Sequence, residues 1–128
     1  MSRILIVEPS PTVRTILLLS FREAGHEVIA PVTLGEALMV LSTLTSPPDI
    51  IFCANNSKNG AYKVVAQMRE QKIYVSTRIV IMGDVQQRAE FSHVLENTKD
   101  SYLVKPFRIE EAEALVAEHP PLLLSDVS

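Results

Sequence analysis

Five short segments of mostly apolar residues recur along this chain of 128 residues, and they restrict its possible folds more than any other feature. They cover residues 4–7, 27–30, 50–53, 79–82 and 102–104. Strands that are apolar nearly throughout are typical of a sheet buried on both faces. Windows with apolar residues at helical spacing lie between these segments. The alternation predicts a parallel sheet with helices on both sides.

Five helical windows follow the strands, and each has an apolar side that would face the sheet. The first opens at Pro11 and closes at Gly25, because glycine is common just after a helix. Thr33 can cap the second helix, and Glu36 has the spacing of a capping box. The fourth window, residues 85–97, has the weakest apolar side. The predicted inward residues are Val13, Ile16, Leu17, Phe21 and Ala24; Leu34, Ala37, Leu38 and Leu41; Val64, Val65 and Met68; Ala89, Val94 and Leu95; and Ile109, Ala112, Leu115 and Val116.

The composition supports one domain and excludes several classes of function. Apolar residues make up 47% of the chain, which is enough for one core, and we predict a domain over residues 1–118. The tail, residues 119–128, would be a linker stub or a docked end. A net charge of −3, from 12 basic and 15 acidic residues, gives no support for nucleic-acid binding. One cysteine and no membrane-length apolar run favour a cytoplasmic protein without disulfides or a membrane segment.

Polar side chains follow four of the predicted strands. In an open parallel sheet, sites form outside the carboxyl ends of the strands, so these residues are the candidates for function. In chain order they are Glu8, Pro9 and Ser10; Ala54, Asn55 and Asn56; Gly83 and Asp84; and Lys105 and Pro106.

Several of these residues lie in segments that resemble a known family. The pieces are ILIVEPSPTVR at the start, PPDIIF before the third strand and, most specific, SYLVKPF at residues 101–107. Together they are similar to the receiver domain of bacterial two-component response regulators, of the chemotaxis-regulator type. The resemblance covers residues 3 to about 117. It implies a flavodoxin-like, doubly wound, five-stranded parallel sheet of order 2-1-3-4-5 with five helices.

The same resemblance implies a chemistry that this chain has lost. A working receiver takes a phosphoryl group on a carboxylate that ends the third strand, with Mg²⁺ held by acids after the first strand. Here Ala54 stands at the phosphoacceptor position and Glu8 and Pro9 at the acid pair. Gly83 replaces the hydroxyl residue after the fourth strand. Lys105 and Pro106 match the family, and Tyr102 matches its aromatic switch residue.

We therefore predict a pseudo-receiver that signals through protein contacts, is not an enzyme, and uses no aspartyl phosphorylation and no cofactor. Mg²⁺ prefers several hard oxygen ligands, so Glu8 alone is a weak metal candidate. The partner face would comprise residues 85–97, 102–104 and 109–117. A homodimer and an output domain in a longer chain stay open. Two alternatives remain: a residual phosphoacceptor that uses Glu8 or Asp84 with Lys105, and a small-ligand site.

Single residues also have competing interpretations. Lys105 could bind an anion, but a salt bridge to Glu8 is the simpler interpretation. Asp84 could add a metal ligand, and capping of the following helix is favoured. Cys53 could sense redox state, and a small buried side chain is favoured. We expect Asn55 and Asn56 to be turn residues. His93 could approach Tyr102 and bias its rotamer through protonation, although an exposed histidine is the simpler expectation.

Overall fold

The computed structural model describes residues 1–55, 60–92, 95 and 100–117. Their centre is a five-stranded parallel sheet of order β2-β1-β3-β4-β5, which confirms the predicted architecture. Each strand lies within two residues of its predicted position. The strands are β1 (Arg3–Val7), β2 (Glu27–Ile29), β3 (Ile50–Ala54), β4 (Arg78–Gly83) and β5 (Ser101–Val104).

Helices cover both faces of the sheet, and the described residues contain four α-helices. They are α1 (Pro11–Glu23), α2 (Leu34–Thr43), α3 (Gly60–Arg69) and α4 (Ile109–Ala117). Because successive strand residues point to opposite faces, the core is divided into two clusters. Leu5 and Ile51 face α2 and α3, whereas Ile4 and Phe52 face α1 and α4. No helix of the described residues has the length and apolar character that crossing a membrane requires.

Local sequence signals determine where the first two helices begin and end. The Ser10 hydroxyl accepts a hydrogen bond from the Val13 amide at 3.4 Å, with Pro11 in the first turn. Gly25 ends α1 with φ +92°, a conformation that other residues rarely adopt. Thr33 caps α2 by accepting from the Glu36 amide at 3.1 Å. The Glu36 carboxylate accepts from the Val32 amide at 3.3 Å, so the capping-box partner lies one residue earlier than expected.

The fourth predicted helix, over residues 85–97, is wrong in the part that the structure describes. Residues 85–87 form a turn and Arg88–Phe91 a short 3-10 helix. The Asp84 carboxylate accepts from the Gln87 amide at 2.8 Å and holds the turn. Phe91 is fully buried and anchors the segment, whereas Ala89, predicted to face inward, is exposed. In its described part, this segment packs one buried side chain, Phe91, against the core and has no continuous apolar side of the kind that a helix would need. Val94 lies outside the described residues.

The predicted buried side of α1 included two residues, Ile16 and Ala24, that the structure shows to be exposed. Leu17 and Phe21, one helical turn apart, are fully buried. Ile16 is 51% exposed, because it lies about 100° around the helix from Leu17 and α1 meets the sheet along a narrower stripe. Ala24 is also exposed, because it is the residue that ends the helix. Apart from Ala89, the other predicted inward residues in the described regions are buried or half-buried.

Candidate functional site

The carboxyl edge of the sheet brings the predicted site residues together. Val7 pairs with Cys53, and Ala54 pairs with Met82, so Glu8 and Ala54 leave the sheet side by side. Gly83 pairs with Val104, and the Lys105 amide then donates to the Gly83 carbonyl at 2.7 Å. Four strand ends from distant parts of the sequence thus form one cluster. The peptide bond between Lys105 and Pro106 in this cluster is cis.

Glu8 and Lys105 form a close ion pair at this edge. The Lys105 ammonium lies 2.6 Å from one Glu8 carboxylate oxygen, and the Ser10 amide donates to the other at 3.0 Å. The Glu8 side chain is 1% exposed and that of Lys105 is 31% exposed. Both carboxylate oxygens therefore already have partners from the chain. The Glu8 carboxylate can be buried because it is paired with a cation and accepts a hydrogen bond.

Arg14 adds a second positive charge that the sequence analysis did not single out. Its guanidinium, on the first turns of α1, donates to the Glu8 backbone carbonyl at 3.0 Å. No fixed spacing in the sequence marks this contact. Two cationic side chains therefore contact Glu8, Lys105 at the carboxylate and Arg14 at the backbone carbonyl. Such a balance lowers the attraction of this pocket for a divalent cation.

Ala54 ends β3 beside a small cavity of about 220 Å³. Ala54 is 3% exposed, and Glu8, Pro9, Thr33 and Gly60 contribute to the cavity wall. The methyl group offers no nucleophile and no metal ligand, and the Pro9 ring offers no side-chain oxygen. In the part of the chain that the structure describes, no group of three or more His, Cys, Asp or Glu side chains could hold a metal ion.

Asn55 follows Ala54 and continues the hydrogen bonding of the sheet. Its amide donates to the Met82 carbonyl at 2.8 Å. Its side-chain oxygen is buried and accepts no hydrogen bond from the described residues. A buried amide oxygen without a donor is uncommon in proteins. Asn56, the other predicted turn residue, lies outside the described residues.

The Tyr102 side chain packs directly against Gly83. The Tyr102 hydroxyl donates to the Asp84 carbonyl at 2.7 Å. A Cβ atom added at Gly83 would lie 2.5 Å from that hydroxyl oxygen and 2.9 Å from the Gln87 side-chain oxygen. Real Cβ atoms do not approach other atoms so closely, so the tyrosine fills the volume that a side chain at position 83 would need.

The surroundings of Tyr102 keep its hydroxyl protonated. Burial raises the pKa of Tyr102, the negative charges of Asp84 and Glu90 raise it further, and Arg88 opposes them. The Asp84 carboxylate itself is exposed and caps the turn through Gln87. His93, which was expected near Tyr102, lies outside the described residues.

An aromatic stack connects Tyr102 to α3. The Phe91 ring lies 4.6 Å from the Tyr62 ring, nearly parallel, and 6.0 Å from the Tyr102 ring, measured between centroids. Tyr62 belongs to α3 and Tyr102 to β5, so Phe91 links the two elements. The sequence analysis missed this stack. Its three rings come from α3, the 3-10 helix and β5, so no sequence spacing indicates it.

Cys53 lies inside the sheet and is fully buried. Burial raises the pKa of the Cys53 thiol, and the negative charge of Glu8 adds to the effect. The thiolate is the reactive form of cysteine, so a thiol held protonated away from solvent is inert. These features support the interpretation of Cys53 as a small apolar side chain.

Comparisons with known proteins agree with this geometry. No protein-family model matches the sequence. The chain is 28% identical over 114 residues to the probable transcriptional regulator ycf27 of Cyanophora paradoxa, covering 89% of this chain and 46% of that protein. It therefore spans less than half the length of that relative.

Solved structures show the same fold. The chemotaxis response regulator CheY4 of Vibrio cholerae superposes with a TM-score of 0.79 at 23% identity, covering 94% of this chain and 99% of that one. The receiver domain of the sensor histidine kinase PA1611 from Pseudomonas aeruginosa gives a TM-score of 0.76 at 20% identity, covering 92% and 96%.

The sheet order and these superpositions define a class of protein: the chain has the CheY-like fold of response-regulator receiver domains. Proteins with this fold include a chemotaxis response regulator and the receiver domain of a sensor histidine kinase. Within this class, the chain carries Ala54, Pro9 and Gly83 at the edge of the sheet where the resemblance places the phosphorylation site.

Proposed function

We propose that this chain is a receiver-like regulatory domain of a two-component type of pathway that acts through protein contacts, without aspartyl phosphorylation. One observation carries the proposal. At the end of β3, where the resemblance places the acceptor carboxylate, Ala54 presents a methyl group, and the neighbouring Lys105 is already paired with Glu8 at 2.6 Å.

The residues present do not suit phosphoryl transfer. That reaction depends on a positioned nucleophile and on neutralisation of the charge around the moving group. Ala54 supplies no nucleophile, and the Lys105 ammonium is engaged by a carboxylate. Mg²⁺, which the fold family implies, needs several oxygen ligands. The single carboxylate, Glu8, has one oxygen on Lys105 and the other on the Ser10 amide, so the residues do not fit the ion.

The arrangement of Tyr102 supports a single, fixed signalling state. In the family that the chain resembles, this aromatic residue changes its orientation as the domain switches. Here its hydroxyl is held by the Asp84 carbonyl and fills the space beside Gly83. The contact face we propose consists of residues 85–92, β5, which carries Tyr102, and α4. Val85 on this face is 59% exposed, as an apolar contact residue would be.

The proposal is tested by incubating the full chain with Mg²⁺ and acetyl phosphate and measuring its intact mass. We expect no gain of a phosphoryl group. The matched control is the double variant Pro9→Asp, Ala54→Asp, which restores two carboxylates at the same edge and keeps Lys105. A response regulator with its own acceptor aspartate serves as the positive control for the donor.

The residual-acceptor alternative predicts the opposite result. A label on the wild-type chain that disappears in Glu8→Gln or in Asp84→Asn would overturn the proposal and identify the acceptor. A longer chain with an output domain remains a further proposal, supported by the ycf27 relative, of which this chain spans 46%. A homodimer and a cytoplasmic location likewise stay expectations from the sequence.

A further inference from the structure

An apolar groove runs along one side of the domain and meets the contact face proposed above at Ile109, the first residue of α4. It lies between α1 and the segment that joins β5 to α4, with a volume of about 340 Å³. Its apolar walls are Val13, Ile16, Leu17, Pro106, Phe107 and Ile109. The one charged residue at the groove, Lys105, is paired with Glu8.

Two apolar side chains of α1, Ile16 in the groove wall and Leu19 beyond it, are exposed. Ile16 is 51% exposed and Leu19, one helical turn further on, is 59% exposed. Burying apolar area of this kind contributes about 25 cal/mol per Å². A contiguous apolar groove with exposed apolar neighbours is therefore a candidate for an occupant.

The chain itself carries a segment of matching chemistry next to this groove. Residues 118–128, EHPPLLLSDVS, continue directly from the end of α4 and lie outside the described residues. They contain three consecutive leucines, Leu122 to Leu124, after two prolines. Proline cannot continue a helix and favours extended chain.

The length of this segment fits the distance it must cover. α4 begins at Ile109, which lines the groove, and ends at Ala117, so its nine residues span about 13 Å. An extended Pro-rich chain covers about 3.1 Å per residue, so the five residues from Ala117 to Leu122 reach about 16 Å. A segment that turns back along α4 therefore brings its leucines level with the groove.

We propose that the segment Pro120 to Leu124 folds back along α4 and docks its leucines in the groove between α1 and residues 105–109. The chain would thus cover this apolar surface with its own tail. The groove contains none of residues 85–92 and shares only Ile109 of α4 with the proposed contact face. The docking does not depend on the absence of phosphorylation, so either proposal can fail alone.

The test places a nitroxide spin label beside the leucines in the full chain. Ser125→Cys supplies a thiol in the tail, and the buried Cys53 should leave the unsubstituted chain unlabelled. We expect the label to broaden the amide resonances of Ile16, Leu19, Phe107 and Ile109. Resonances of α2, on the other side of the sheet, should keep their intensity.

Two substitutions of exposed helical residues provide a matched pair. Ile16→Ser changes the groove and should abolish most of the broadening. Met39→Ser, on α2 and 67% exposed, should leave it intact. Equal broadening in both variants, or none around α1 in the parent, would overturn the proposal.

A mixing experiment separates docking within the chain from docking between copies. Isotope-labelled chains without the nitroxide are mixed with unlabelled chains that carry it. Intrachain docking predicts no broadening in the mixture. Broadening of the α1 resonances there would show that the groove holds the tail of a second copy and would overturn the intrachain proposal.

Discussion

At the scale of single residues, the absence of a side chain at position 83 matters as much as the methyl group at position 54. Gly83 leaves room for the Tyr102 hydroxyl to reach the Asp84 carbonyl. Glycine is needed at this position for that room and not for an unusual backbone conformation. The two residues are 19 positions apart in the sequence, so their fit is a property of the β4 and β5 pairing. This close approach leads to the first prediction.

Gly83→Ala should destabilise the domain by about 1–3 kcal/mol, because the new Cβ overpacks against the Tyr102 hydroxyl. Urea unfolding measures the loss. Gly35→Ala, whose Cβ would meet only the Thr33 hydroxyl at 3.9 Å, is the control and should raise stability by about 0.5–1 kcal/mol.

A double-mutant cycle identifies the cause. In the Tyr102→Phe background the hydroxyl is gone and the next ring atom lies 3.4 Å from the added Cβ, so Gly83→Ala should be much less harmful. An equal loss in both backgrounds would show that the tyrosine hydroxyl is not the obstacle.

The Glu8–Lys105 pair should respond unequally to the loss of each partner. Lys105→Met leaves the 1% exposed carboxylate without its cation, and we expect a loss near or below the lower end of the ~3–5 kcal/mol range for broken buried pairs. Glu8→Gln frees an ammonium that is 31% exposed and can reach water, so the loss should be about 1 kcal/mol.

The double variant Glu8→Gln, Lys105→Met completes the comparison by urea unfolding. Its loss should be smaller than that of Lys105→Met alone, because no unpaired buried charge remains. If Glu8→Gln proved the more harmful single change, the burial difference between the two partners would not govern the pair.

At the scale of elements, the segment of residues 85–92 depends on one anchor. Phe91→Ala should cost about 3–5 kcal/mol, because it removes a fully buried ring between Tyr62 and Tyr102. Val85→Ala, in the same segment and 59% exposed, should change stability by less than about 0.5 kcal/mol. Thermal unfolding of both variants compares them, and similar losses would contradict the anchor.

The same segment shows where inference from the sequence works and where it stops. All five strands were predictable, because apolar residues on both faces of a strand are a direct signature of a buried sheet. The helix predicted over residues 85–97 was wrong in the described part, because a weak apolar side and an Asp84 cap also suit a turn followed by a short 3-10 helix. The exposure of Ile16 was also missed, since helical periodicity indicates a direction but not the width of the contact.

The site divides in the same way. The residues at the carboxyl edge were predictable from strand positions alone. The closeness of Tyr102 to Gly83, the contact of Arg14 with the Glu8 carbonyl and the stack around Phe91 depend on side-chain packing across elements. Packing of this kind leaves no fixed spacing in the sequence, so only the structure reveals it.

At the scale of the whole molecule, the domain should lose stability in alkali. Burial raises the pKa of Tyr102 above its ordinary value near 10, and burial also raises the pKa of Tyr74. A raised pKa in the folded state means that both contributions are complete below about pH 10 and decline as the pH rises further. Urea unfolding across this range should show a falling free energy of unfolding.

Tyr102→Phe separates the two tyrosines. The variant cannot ionise at position 102, so its alkaline decline should be smaller than that of the parent, with the share of Tyr74 remaining. Absorbance of the phenolate, recorded in the same samples, reports how many tyrosines have ionised, and the difference between parent and variant gives the share of Tyr102. A decline of equal size in the parent and the variant would exclude Tyr102 as a contributor.

The fit of Tyr102 against Gly83 also restricts the order in which this sequence can change. A residue with a side chain at position 83 is admissible only after the hydroxyl at position 102 has been removed or displaced. An acceptor carboxylate at position 54 alone would leave that obstacle in place. The pair therefore limits which substitution can come first: a side chain at position 83 should accompany either a different residue at position 102 or a tyrosine turned away from position 83.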